Sequence, residues 1–145
     1  MWLRTLRRYF EAILVGNLVW EVAQLPLYAI WKTGTVRDLA VAVIHCTAGD
    51  VAISASALLI ALILAGDKTW PHSRFRMVSA GAVAIGISYT IYSERRNVFV
   101  LRNWDYGDLM PVLPWLDVGL SPLLQWVLVP AAAFAWARSP TRNFK

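Results

Sequence analysis

Asn17, Glu21, Gln24 and Tyr28 recur at spacings of 4, 3 and 4 inside an otherwise apolar stretch. At about 100° per residue they fall within about 60° of one another on one helical stripe. An ionisable side chain in hydrocarbon costs at least about 2.5–3.5 kcal/mol on insertion scales, so Glu21 needs a partner or a task. The next apolar stretch supplies a second stripe, Thr47, Asp50 and Ser54. Counted at about 1.5 Å per residue from the start of each segment, Glu21 and Asp50 both lie about 17 Å deep and can face each other. Two carboxyls in one desolvated site do not both ionise. They hold a proton between them, which is what general acid and base work requires. Glu21 and Asp50 are therefore the candidate catalytic pair, with His45 as a relay. His45 lies about 140° round the helix from Asp50, so the two are expected on different faces.

That chemistry suits proton delivery to and removal from an apolar molecule: double-bond isomerisation, hydration, or cyclisation through a carbocation. Trp20 and Trp126 would offer π-faces to the cation. Asn17, Gln24, Tyr28 and Gln125 would line the same pocket, with Tyr92, Glu94, Trp104 and Tyr106 at its outer side. The same groups equally suit a proton-coupled carrier. Each has a structural reading too. Glu21 and Asp50 can clamp neighbouring helices. His45 can bond a backbone carbonyl, Glu94 can pair with the adjacent Arg95 or Arg96 at an interface, and Asp105 and Asp108 can be solvated loop acids. No second His accompanies His45 in an apolar segment, and Cys46 beside it is expected to point elsewhere. No metal and no cofactor is expected, nor does a Ser-His-Asp set, phosphate-binding glycine loop or zinc spacing occur.

The elements that must hold these residues follow from composition. Hydrophobic residues make up 58% of the 145, charged ones only 16%, and eight are tryptophans, against roughly 25% charged in an average soluble domain. Apolar segments at 9–31, 39–64, 77–93 and 116–137 are each long enough to cross about 30 Å of hydrocarbon, the third only just. The chain is thus expected to be all-α, a single transmembrane domain forming a four-helix bundle. The first segment, though preceded by Arg4, Arg7 and Arg8, is too long for a signal peptide's apolar region and is expected to be retained. Ser121-Pro122 reads as a cap and first-turn proline, so the fourth segment can be broken there, with Pro130 free to kink it. A stripe of small residues in the third segment, Ser79, Ala82, Gly86, Thr90 and Ser93, is expected to serve close packing.

Nine Lys and Arg residues fall in the two termini and the second loop, including Lys68, Arg142 and Lys145, and five in the other two loops. The excess predicts both termini in the cytoplasm of a multi-pass inner-membrane protein. It also accounts for the net charge of +5 without nucleic acid as a partner. A single cysteine excludes an intrachain disulfide. Polar groups concentrate at or outside the midplane, so an outward-side pocket for a lipidic or isoprenoid-like molecule is expected, roofed by an ordered, lid-like loop at 95–115.

The run Glu21-Val-Ala-Gln24-Leu-Pro26, followed by Lys32, Gly34, Arg37, His45 and Thr47, resembles a segment of the EXPERA proteins, the emopamil-binding sterol isomerases and the sigma-2 receptor. The resemblance covers residues 21–47. It implies that Glu21 and His45 line a pocket for a sterol-like or cationic amphiphilic ligand, and that the activity is a proton shuttle across a double bond. The small size of the chain leaves other readings open: an accessory subunit of a larger membrane complex, or a carrier working as a homodimer.

Overall fold

A computed structural model describes residues 2–139. The chain is mostly helical, and four of its segments, Trp2–Leu27, Val36–Ala65, Phe75–Leu101 and Leu120–Arg138, are long and apolar enough to cross a membrane. The positions 142 and 145 used in the charge count lie outside the described residues.

Helix α1 (Trp2–Gln24) starts seven residues before the apolar segment does, because Arg4, Arg7 and Arg8 are good helix formers and Arg7 pairs with Glu11 one turn on, at 3.3 Å. It also stops earlier than expected. Pro26 has no N–H and disfavours a helical residue before it, so the chain tightens into a 3₁₀ turn, Leu25–Leu27, and then a single-turn helix α2 (Ile30–Thr33). Helix α3 (Val36–Ala65) begins in a capping box. The Thr35 side chain accepts from the Asp38 N–H, and Asp38 Oδ2 accepts from the Thr35 N–H at 2.9 Å. Gly66 closes it, its N–H donating to the Leu62 carbonyl at 2.8 Å.

Helix α4 (Phe75–Arg95) runs on through a wide turn, Arg96–Leu101, ended by Arg102 in the left-handed region. The first part of the expected 95–115 loop is therefore helical. What remains, residues 102–119, forms a strap ending in a two-stranded antiparallel ribbon, β1 (Val112–Leu113) with β2 (Val118–Gly119), in the register Val112↔Gly119 and Leu113↔Val118. Residues 116–119, assigned to the fourth helix from hydropathy, belong to this ribbon and its turn, where Asp117 takes a positive φ of 53°. Helix α5 (Leu120–Arg138) is capped by Gly119 instead of Ser121, whose hydroxyl is used elsewhere.

The four long helices form an up-down-up-down bundle in which α1 packs on α5 and α3, and α4 on α3 and α5. At the end that holds the start of α1, the 66–74 turn and the end of α5, the interior is dry. Ile13, Val78 and Ala133 are fully enclosed, and Tyr9, Phe134 and Phe75 form an aromatic chain with centroid separations of 4.5 and 5.8 Å. Within a bilayer, where lipid tails are as apolar as these side chains, such a core stabilises through close van der Waals packing and not through removal from water. The small-residue stripe of α4 does serve packing at Ala82 and Gly86. A Cβ on Gly86 would overlap Cε3 and Cζ3 of Trp126, so only glycine lets that indole lie on the α4 backbone.

Candidate functional site

The opposite half of the bundle is polar inside, and its polar groups come from two helical stripes that face each other. Asn17, Glu21 and Gln24 are buried on α1. Ser121 and Gln125, one turn apart, are buried on α5. Asn17 Nδ2 donates to the Ile13 carbonyl of its own helix at 2.9 Å, leaving Oδ1 to accept from Gln125 Nε2 at 2.9 Å. The same nitrogen stands 3.0 Å from Glu21 Oε1 and 2.9 Å from Asp50 Oδ2. Two carboxyls from different helices thus converge on one amide, whose two hydrogens are shared among three acceptors. Gln24 Nε2 adds a second donor to Glu21 Oε1 at 2.8 Å. Gln24 is itself oriented by the Ser121 hydroxyl, which donates to its carbonyl at 2.8 Å and accepts from Trp20 Nε1 at 3.2 Å.

Beside this network opens a cavity of about 1030 Å³, with Glu21 and Gln24 on one wall, Asp50 on the next and Gln125 and Trp126 on a third. His45 and Asp50 both line it, contrary to the expectation from their angular separation. Residues right round one half of α3, from Val41 and His45 through Gly49 to Cys46 and Asp50, line the cavity, so at this end that side of α3 faces open space instead of a closely packed helix among the described residues. Cys46 is accordingly brought to the site as well. His45 is exposed and makes no hydrogen bond among the described residues.

The strap covers the end of this cavity. Its Tyr106 bridges to Tyr28, the Gly107 N–H donates to the Leu27 carbonyl at 2.8 Å, and the Ala29 N–H donates to the Asp105 carbonyl at 3.0 Å. Lys32 and Asp108 pair at 2.9 Å on the surface, and this bond holds the Asp108 carboxyl below its usual range. Inside, the Tyr106 hydroxyl donates to Glu94 Oε2 at 2.7 Å and accepts from the Gly119 N–H at 2.9 Å. Burial, and then the neighbouring Glu94 carboxylate, raises the Tyr106 phenol above its ordinary value. Glu94 is therefore not the interfacial ion pair suggested by Arg95 and Arg96. It is buried, and Arg96 reaches the Tyr92 hydroxyl instead, at 3.1 Å.

Of the residues singled out from sequence, Glu21, Gln24, Tyr28, His45, Asp50, Glu94, Trp104, Gln125 and Trp126 meet at the cavity. Asn17 and Trp20 stand behind its wall as supports, Tyr106 acts through Glu94, and Tyr92 faces outward, 55% exposed. Sequence reasoning missed Ser121, read as a helix cap, and Thr90, read as packing. Thr90 is buried at the cavity with Oγ1 unpartnered, whereas the buried indole N–H of Trp104 lies near the Glu94 carboxyl. An unpartnered buried hydroxyl of this kind calls for a ligand or water. Among the described residues no Lys or Arg lines the cavity, whereas Glu21, Asp50 and Glu94 all do. Among the described residues no cluster of His, Cys, Asp or Glu could hold a metal ion. Comparison with protein-family models, with curated proteins and with solved structures gives no match.

Proposed function

We propose that the chain is a multi-pass inner-membrane protein, both termini cytoplasmic, whose outer half holds an acid/base pocket for an apolar, isoprenoid-like or sterol-like molecule. The observation that carries this reading is the convergence of Glu21 and Asp50 on the single Gln125 amide at a cavity wall free of Lys and Arg. A pair that shares one proton offers an acid and a base within reach of the same substrate. In an isomerisation the protonated carboxyl adds its proton to one carbon of a double bond. The ionised carboxyl then takes a proton from the carbon on the far side of the resulting cation, and that C–H electron pair forms the new double bond. The proton passes back between the two carboxyls, and nothing is consumed.

The Trp126 ring lines the cavity, where it would face the cation. The unpartnered Thr90 hydroxyl suits a hydroxyl or carbonyl on the substrate. A carboxylate or phosphate would meet Glu21, Asp50 and Glu94 there with no Lys or Arg to offset them, so the substrate is neutral or becomes cationic. On this reading the EXPERA-like segment 21–47 supplies Glu21 and His45. The dry packing of Tyr9, Ile13, Leu58 and Phe134 beneath the pocket favours an enzyme over a carrier, which needs a path to the other side.

The test is deuterium exchange. Purified protein in D2O is given a panel of isoprenoid alcohols and sterols, and label at carbon is read by mass spectrometry. Incorporation is expected with at least one, and is expected to drop by about 10²-fold or more in both Glu21→Gln and Asp50→Asn. Full incorporation in both variants would falsify the assignment.

A further inference from the structure

On the outer face of the bundle, away from the acid pocket, α4 and α5 enclose a groove of about 880 Å³. Its floor is apolar, with Val83, Ala84 and Ile87 on α4 and Ala131 on α5, and its mouth at the basic end of the molecule is framed by Arg76 and Arg138. Neither guanidinium has an ion pair among the described residues, and no acid lines the groove. Arg138 Cζ lies 5.4 Å from the centroid of the Phe75 ring, and its guanidinium makes no hydrogen bond among the described residues. The nearby hydroxyls are already used: Ser79 donates to the Phe75 carbonyl and Ser139 to that of Trp136, both at 2.8 Å. Unneutralised donor capacity at the mouth thus rests on the two arginines.

From Phe75 to Ile87 the helix rises about 18 Å, close to the length of one extended phospholipid acyl chain. We propose that this groove binds one anionic phospholipid, its phosphate between Arg76 and Arg138 and one acyl chain along the floor. Arginine forks match phosphate oxygens two at a time, and basic pockets between membrane helices are suited to acidic head groups. A zwitterionic lipid brings a second, positive charge to the same mouth and loses much of that attraction.

Native mass spectrometry of the full chain in mild detergent tests this, with phosphatidylglycerol and phosphatidylcholine of identical chains as probes. A single phosphatidylglycerol adduct is expected, favoured about tenfold or more over phosphatidylcholine. The Arg76→Gln/Arg138→Gln variant should lose the preference, while Arg4→Gln, a charge removed elsewhere at the same end, should keep it. Ala84→Trp, which fills the groove and leaves both arginines, should lose the adduct. Equal binding of the two lipids, or a preference surviving either groove variant, overturns the proposal. So does a stable dimer that Ala84→Trp dissociates, which would assign the groove to a second copy of the chain.

Discussion

The Tyr106 hydroxyl sits 2.7 Å from Glu94 Oε2, a bond that fastens the strap to a buried acid on α4. The hydroxyl also accepts from the Gly119 N–H, so Tyr106→Phe leaves two groups without their partner. The variant is expected to cost about 1–3 kcal/mol. It should also speed amide hydrogen exchange in residues 102–119 while α1 stays protected. An exchange pattern identical to wild type would show that the strap is held by its backbone pairing to 27–29 and the Lys32–Asp108 pair without help from Tyr106.

Gln125 and Ser121 lie one turn apart on α5 yet should differ in weight. Truncating Gln125 to Ala removes a donor from Asn17, Glu21 and Asp50 together, and is expected to cost about 3–5 kcal/mol because two buried carboxyls lose their common partner. Ser121→Ala affects only the Trp20 and Gln24 contacts and is expected to cost about 1–2 kcal/mol. Thermal unfolding in detergent ranks the two, and a larger loss at Ser121 would contradict the placement of Gln125 at the centre of the network.

Gly86→Ala drives a methyl into the Trp126 ring, which has no flexible end to move aside. A loss of about 1–3 kcal/mol is expected, and Trp126→Leu in the same chain should recover most of it. A double variant as unstable as the sum of the single ones would place the strain elsewhere.

The 66–74 turn carries a pH signature. Hydrogen bonds from Ser73, and then from the Thr69 hydroxyl and N–H, hold the Asp67 carboxyl down to about 2. A carboxyl depressed in the folded state stabilises fully above its unfolded value and loses that contribution as the pH falls towards the folded one. The gap in melting temperature between wild type and Asp67→Asn should therefore be constant from pH 7 to pH 5 and shrink between about pH 4 and 2. An unchanged gap at pH 3 would mean that Asp67 is not bonded as described.

The parts of this architecture legible in the sequence were those with local causes. The stripe of Asn17, Glu21 and Gln24 was visible because helical spacing alone puts three polar groups on one face, and the apolar half of the bundle because Ala57, Leu58 and Ala61 sit in an unbroken apolar run. What failed was non-local. Arg95 and Arg96 adjoin Glu94 in sequence but point to other sides of α4, and the partner that holds Glu94 inward comes from twelve residues downstream. Ser121-Pro122 carries the composition of a helix start, yet the ribbon delivers the chain to Leu120 already turned, freeing the Ser121 hydroxyl for Gln24. His45 and Asp50 were separated by an angle that assumes a narrow contact surface. A helix uncovered over half its girth has none.

That bare side of α3 has a consequence for the size of the chamber. Apart from its own helix backbone and chain neighbours, no atom of the described residues lies within 4 Å of the place where a Gly49 Cβ would stand, although Glu21, Asp50 and Gln125 line the same chamber. The bore of the chamber and its carboxyls are thus written at separate positions. A single codon at 49 can narrow the space one carbon at a time while the acids and their shared amide stay as they are.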